Sequence, residues 1–137
     1  MGPGSGDRTR ILIDNRDDGV QAAVTSFMET KGYDVSVCGG PEMLPRQRCP
    51  LVHDGYCPTA EQADVIVTSL PLDDPRNAEV LRSYRTTYPD TPIVVEIPKP
   101  QIDEHADLLE GCVVVPFPYT RATLEQAVED ALAAAAS

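Results

Sequence analysis

Five short apolar runs, each separated from the next by a longer polar or amphipathic segment, most constrain what this chain can fold into. The runs are rich in Val and Ile and apolar at nearly every position, as in strands that are buried on both faces. After the first run, apolar residues follow the spacing of one helix face: Val20, Ala23, Val24, Phe27 and Met28. The alternation predicts an open parallel β-sheet covered by helices on both faces. The predicted strands are 10–14, 33–38, 63–70, 91–97 and 112–117.

The carboxyl ends of these strands are the expected place for a functional site, because ligands and reactive groups gather there in open α/β sheets. The segments at those ends are DNRDD, CGGPEM, TSLPL, EIPKP and PFPYT. The second of them begins a long stretch, residues 39–62, that has no sustained periodicity and contains cysteines. We expect a loop there, with at most a turn of helix near PTAEQ.

The charge balance excludes several kinds of partner. The chain has 22 Asp and Glu against 11 Lys and Arg, a net charge of −11, so we expect neither a nucleic acid nor an anionic membrane surface as a partner. No apolar run approaches the roughly 20 residues of a membrane-spanning helix, and nothing resembles a signal peptide, which favours a cytoplasmic protein. Residues 1–8 resemble an expression tag or a disordered terminus, and residues 9–137 are expected to form a single domain.

The order of the segments resembles the receiver domain of two-component response regulators over about residues 9–134. The resemblance is carried by RILI before an acidic loop, GVQAAVTSFMETKGYDVSV, ADVIVTSLPL, TPIVVEI and VPFPYTRATLEQAVEDAL. It implies a flavodoxin-like three-layer sandwich with five parallel strands in the order 2-1-3-4-5. It also implies that a cysteine-containing loop replaces the second helix, and that the Val115–Pro116 peptide bond is a candidate for the cis form.

Receivers carry a phosphorylation site, and the resemblance places its positions on residues of different chemistry. An acidic pair and a phosphoacceptor aspartate hold Mg²⁺ through carboxylate oxygens, while a hydroxyl residue and a lysine contact the phosphoryl group. The matching positions are Asn15 and Arg16 for the acidic pair, Ser69 for the acceptor, Ile97 for the hydroxyl and Val115 for the lysine. These residues provide neither a Mg²⁺ cage nor the carboxylate that forms an acyl phosphate. We therefore expect a pseudo-receiver, an atypical receiver that has lost phosphotransfer.

A one-residue shift in this alignment would restore an acid to the site. Asp14 would then join Asp17 and Asp18 as ligands of a divalent ion. The competing interpretation is that Asp17 and Asp18 are solvated carboxylates in the first turn of a helix, where they suit the helix dipole. Glu96 is unusual in an apolar strand, and two alternatives are open for it: an ion pair with Arg16, or a side chain that points to solvent.

The cysteines allow three interpretations. Cys38, Cys49, His53 and Cys57 would supply a Cys₃His set for Zn²⁺, or ligands for an iron–sulfur cluster, although their spacing matches no standard zinc finger. Alternatively, Cys49 and Cys57 lie close enough to react with one another, and a reversible disulfide makes the loop a redox switch. In the third interpretation Cys38 and Cys112 are small core residues, and the two remaining thiols have no function.

Three functions follow, and the first is favoured. It is a non-enzymatic signalling domain of the response-regulator type, which binds a protein partner or a second copy of itself through residues 101–134 without Asp phosphorylation. The second is a thiol-redox or metal sensor that uses the segment from Cys38 to Cys57. The third is a flavodoxin-like small-ligand binder or enzyme, ranked last because no Gly-rich phosphate loop follows the first strand. No cofactor is expected, unless Zn²⁺ or an iron–sulfur cluster binds the Cys38, Cys49, His53 and Cys57 set.

Overall fold

The structure, a computed structural model, describes residues 8–38 and 49–136. Within these ranges one sheet contains five parallel strands in the order β2-β1-β3-β4-β5. The strands are β1 Arg10–Asp14, β2 Asp34–Cys38, β3 Val65–Thr68, β4 Ile93–Pro98 and β5 Val113–Phe117. The sheet type and the strand order predicted from the sequence are confirmed.

Helices cover both faces of the sheet. In the described ranges they are α1 Asp18–Thr30, α2 Pro50–Asp54, α3 Pro58–Gln62, α4 Pro75–Thr87, α5 Ala106–Leu109 and α6 Arg121–Ala136. Helices α1 and α6 pack on one face, and α2, α3, α4 and α5 pack on the other, which gives three layers. No helix in the described part of the chain is long and apolar enough to cross a membrane.

Two apolar clusters fill the spaces between the sheet and its helices. Successive strand residues point to opposite faces, and β1 shows the consequence. Ile11 and Ile13 pack in the cluster with α1 and α6, whereas Leu12 packs in the cluster with α2 to α5. All three side chains are buried. The continuous apolar runs of the sequence therefore reflect a sheet that is covered on both faces.

The described part of the connection between β2 and β3 has more regular structure than the predicted loop. Helices α2 and α3 each begin with Pro at the first helical position, which suits a residue without an N–H donor, after an N-cap cysteine, Cys49 or Cys57. Gly55 ends α2 with φ 75°, a left-handed conformation that Gly adopts without a Cβ clash. Helix α3 is the predicted turn near PTAEQ, whereas α2 was not predicted.

Both short helices are attached to the core. Leu51 of α2 and Ala60 of α3 are buried in the same cluster as α4. The segment from Cys49 to Gln62 is therefore a packed part of the layer formed by α2 to α5. The prediction for residues 39–48 lies outside the described residues.

In the connection from β4 to β5, two 3₁₀ turns, Lys99–Gln101 and Asp103–His105, precede the four-residue helix α5. The Val115–Pro116 bond is trans, because Pro116 lies in extended β5 opposite Ile97, and the cis bond is Phe117–Pro118.

Candidate functional site

Three residues that the resemblance places at receiver-site positions, Asn15, Ser69 and Val115, lie in one row with Glu96 across the carboxyl edge of the sheet. Ile97, at the predicted hydroxyl position, packs in the cluster on the other face. Glu96 of β4 is opposite Val115 of β5, and continuing the β3–β4 register by one residue places Ser69 beside Glu96. The N–H of Ser69 donates to the carbonyl of Asp14 at 2.9 Å, so Asn15 follows next to Ser69. Because strand side chains alternate, the whole row faces α1 and α6, as buried Val115 does. The row consists of Asn15, Ser69, Glu96 and Val115.

Asn15, at one of the positions that the resemblance assigns to the receiver site, has a structural role. The Oδ1 of Asn15 accepts a hydrogen bond from the N–H of Asp17 at 2.9 Å, which organises the turn into α1. Its own carbonyl accepts from Gln21 Nε2 at 3.1 Å. The remaining positions are the exposed Arg16, the half-buried Ser69 and the buried Ile97 and Val115.

The three acids that the shifted alignment predicts as ligands of a divalent ion do not converge. Asp14 is buried and faces the layer of α2 to α5, on the same side of β1 as Leu12. Asp17 caps α1, where its Oδ1 accepts from the N–H of Val20 at 3.0 Å. Asp18 is exposed in the first turn of α1. Among the described residues these acids do not form a group with ligand atoms within 4.8 Å of one another. The structure thus favours the helix-dipole interpretation for Asp17 and Asp18.

Asp14 is a buried carboxyl that is paired with a tyrosine. Tyr84 of α4 donates its hydroxyl to Oδ2 of Asp14 at 2.5 Å, while Oδ1 has no hydrogen-bond partner among the described residues. Burial raises the pKa of Asp14 to about 7, and the Tyr84 hydrogen bond offsets part of that increase. Burial also raises the pKa of Tyr84 well above its usual value, with a further increase from the charge of Asp14. Near neutral pH, both the protonated and the ionised form of Asp14 are therefore populated.

Glu96 is a second buried carboxyl, on the opposite face of the sheet. It is 5% exposed and hydrogen-bonded to Tyr119, which follows β5. Its Oε2 is buried and has no hydrogen-bond partner in the part of the chain that the structure describes. Burial raises the pKa of Glu96 to about 7, and the Tyr119 hydrogen bond lowers it. The alternative that Glu96 points to solvent is wrong.

Tyr84 and Tyr119 are the members of these pairs that the sequence did not indicate. The hydroxyl of Tyr84 reaches a carboxyl 70 residues earlier in the chain. A buried acid needs a hydrogen-bond donor, so an acid in an apolar strand is a sign that some donor lies nearby. Which residue donates depends on how the helix and the turn pack on the sheet, and that is not visible in the sequence.

All four cysteines are half-buried, in the thiol form, and packed against the cluster of α2 to α5. After burial and Asp14, electrostatic interactions with Cys38 and Cys57 are lesser causes that raise the pKa of Tyr84, so both cysteines lie in its vicinity. In the described ranges, Cys38, Cys49 and Cys57 do not gather their sulfur atoms within 4.8 Å of one another. The side chain of His53 lies outside what the structure describes, so the four-ligand Zn²⁺ or iron–sulfur site stays a prediction.

Comparison with known proteins finds similarity in fold to solved structures. No protein-family model and no curated protein matches it. A CheY-like response regulator receiver domain protein from Methanospirillum hungatei JF-1 superposes with a TM-score of 0.73 at 14% identity, over 95% of this chain and 98% of that one. A response regulator receiver protein from Sinorhizobium medicae WSM419 gives 0.72 at 20% identity, over 96% and 99%. A receiver domain protein from Clostridium thermocellum gives 0.70 at 16% identity, over 92% and 95%.

At these identities the likeness shows the fold alone. The chain has the fold of CheY-like receiver domains along nearly its whole length, with the strand order of that fold.

Proposed function

We propose that this chain is a non-enzymatic signalling domain of the receiver type, which acts by binding a protein partner and not through phosphorylation of an aspartate. The observation that carries the proposal is the row Asn15, Ser69, Glu96 and Val115 at the carboxyl edge of the sheet. The acceptor position in this row carries a hydroxyl, and the lysine position carries a buried valine. The one acid in the row, Glu96, is buried and bonded to Tyr119, where a phosphodonor has no access.

The surrounding acids support the same conclusion. A Mg²⁺ ion in a phosphotransfer site needs carboxylate oxygens that face the acceptor and leave room for water and phosphate. Asp14 is buried on the other face of the sheet with Tyr84, and an oxygen of Asp17 accepts the hydrogen bond that caps α1. Neither carboxylate is placed to share a metal ion with Ser69.

Incubation with acetyl phosphate and Mg²⁺, followed by intact-mass spectrometry, tests the proposal. We expect no phosphoryl adduct, while a receiver domain with its acceptor aspartate is modified under the same conditions. The Ser69→Asp variant should remain unmodified as well, because the metal ligands and the lysine are still missing. A stoichiometric adduct on the unaltered chain would contradict the proposal.

The surface for a partner or a second copy is residues 101–134, which includes α5, β5 and α6. Two features support this choice. Strand β5 is an edge strand of the described sheet, and the side chain of Phe117 at its end is 48% exposed. Phe117 also packs edge-on against Tyr119, with ring centroids 5.5 Å apart. The exposed ring of Phe117 therefore contacts Tyr119, which is the hydrogen-bond donor of buried Glu96.

A thiol-redox role is the second candidate function, supported by the packing of Cys38, Cys49 and Cys57 on the cluster that holds Tyr84. Oxidation by peroxide would join two of these thiols, with their two hydrogens and the peroxide leaving as two waters. Thiol counting before and after mild peroxide treatment tests it, with Cys112→Ser as the control. A redox role predicts the loss of two thiols, reversed by dithiothreitol, whereas a count that stays at four would exclude it.

A further inference from the structure

We propose that Asp73, Glu104 and His105 form a binding site for a divalent transition-metal ion of the Zn²⁺ type. One carboxylate oxygen from each acid and one ring nitrogen of the histidine all lie within 4.8 Å of one another. Among the side chains that the structure describes, which exclude that of His53, no other group of three or more Cys, His, Asp or Glu meets this condition. The site is separate from the receiver-type row and does not depend on the function proposed above.

The ligands come from two connections that the fold brings together. Asp73 lies between β3 and α4, and Glu104 and His105 lie in the 3₁₀ turn between β4 and β5. Because β3 and β4 are neighbours in the sheet, their outgoing connections leave the carboxyl edge side by side. The Nε2 of His105 is 2.9 Å from Oδ1 of Asp73, across 32 residues of sequence.

The histidine is held in place and the acids are open to solvent. The side chain of His105 is 16% exposed, whereas that of Asp73 is 62% exposed. The imidazole ring is therefore fixed by its surroundings, with Nε2 directed at the carboxylate of Asp73. A metal ion can reach this arrangement from solvent without any opening of the core.

The ligand chemistry selects the class of metal. One imidazole nitrogen and two carboxylate oxygens suit Zn²⁺, which binds three protein ligands and leaves a fourth position for water. Mg²⁺ and Ca²⁺ take six or more oxygen ligands and gain nothing from an imidazole. The neighbouring Asp74 binds Arg76 at 2.8 Å and caps α4, so it is not counted among the ligands.

Charge gives an independent reason for a cation at this place. The chain carries a net charge of −11, yet two carboxylate oxygens, from Asp73 and Glu104, lie within 4.8 Å of one another. A divalent ion neutralises both and also ties the two connections together at the sheet edge.

Titration of the full chain with Zn²⁺ and with Co²⁺ tests the site. We expect one equivalent of each ion to bind, with Mg²⁺ unable to compete. The Co²⁺ complex should lack sulfur-to-metal charge-transfer absorption, which distinguishes this site from a thiolate site at Cys38, Cys49 or Cys57. Asp73→Asn and His105→Asn should each weaken binding by at least about tenfold, since even outer-shell partners of metal ligands are worth that much.

Glu110→Gln is the matched control, because Glu110 is an exposed acid in the same β4–β5 connection. Its affinity for Zn²⁺ should equal that of the unaltered chain. Asp73→Asn keeps an oxygen that can accept from His105, so a folded protein is expected for that variant. No binding, binding with a thiolate absorption band, or equal affinity in all variants would overturn the proposal. Each of these results would mean that the three side chains do not bind a metal ion, and that the contact between His105 and Asp73 is a hydrogen bond that joins the two connections.

Discussion

Asp14 and Glu96 each bind a proton more tightly in the folded protein than in the unfolded chain. Burial raises their pKa values to about 7 from ordinary values of 3.8 and 4.5. Between the unfolded and folded pKa values, the folded state holds a proton that the unfolded state has released. The free energy of unfolding therefore falls as pH rises, by about 1.4 kcal/mol per pH unit for each group. The contribution is fully present below the unfolded pKa and is lost once pH passes the folded pKa.

Asp14→Asn isolates one of these two groups. Asn keeps the size of the side chain and an oxygen that accepts from Tyr84, but it has no proton to lose. Between about pH 5 and pH 7 we expect the stability of the variant to rise relative to the unaltered protein, by about 1.4 kcal/mol per pH unit. Urea unfolding at several pH values measures this difference. The control is Asp90→Asn, at an exposed position, whose stability should change with pH in parallel with that of the unaltered protein. If the stability of Asp14→Asn also ran parallel to that of the unaltered protein, the pKa of Asp14 would not be raised by folding.

Tyr119→Phe tests the donor of the second pair. The Tyr119 hydrogen bond lowers the pKa of Glu96 against the larger effect of burial, so it favours the ionised form. Its removal should cost about 1–3 kcal/mol at pH values above 7 and less below about pH 5. The control is Tyr56→Phe, because Tyr56 donates to Glu61 at 2.8 Å on the protein surface. Equal losses in the two variants would mean that Glu96 is not a buried acceptor.

At the scale of secondary structure, the strands and the long helices were predictable because their burial leaves a pattern in the sequence. A strand covered on both faces is apolar throughout, and α1 shows the spacing of a helix with one buried face. Helix α2 was missed because five residues are too few to show a period. The 3₁₀ turns before α5 have three residues each, which is also too few to show a period.

The site was predictable only in part. The positions of Asn15, Ser69 and Val115 followed from a resemblance in segment order, and the structure places them in one row. The Asp14–Tyr84 pair depends on how α4 packs against β1, and no spacing in the sequence encodes it. The same holds for the donor of Glu96.

Leu51→Ala tests whether α2 is a packed element. Leu51 is 3% exposed and belongs to the cluster of α4, whereas its neighbour Val52 is 37% exposed. Truncation of Leu51 should cost about 2–5 kcal/mol of unfolding free energy. Val52→Ala is the matched control and should change stability by no more than about 0.5 kcal/mol. Small and equal effects in urea unfolding would show that α2 does not pack on the sheet.

At the scale of the whole molecule, the two buried acids lie on opposite faces of the sheet, each between the sheet and a different layer of helices. Asp14 faces α2 to α5, whereas Glu96 faces α1 and α6, and they share no hydrogen-bond partner among those identified. The effects of Asp14→Asn and Glu96→Gln on stability should therefore add to within about 0.5 kcal/mol in the double variant. Unfolding of the two single variants and the double variant at one pH above 7 measures the sum. A larger deviation would mean that the two layers are coupled through the sheet.

Carboxyl ¹³C NMR over a pH titration tests most directly whether the two buried carboxyl groups at this edge of the sheet bind protons near neutral pH. Of the 22 Asp and Glu side chains, those of Asp14 and Glu96 should show midpoints of about 7. Each resonance should disappear in the matching variant, Asp14→Asn or Glu96→Gln, while the other keeps its midpoint. Midpoints below about 5 for both groups, in the ordinary range of exposed acids, would contradict the account.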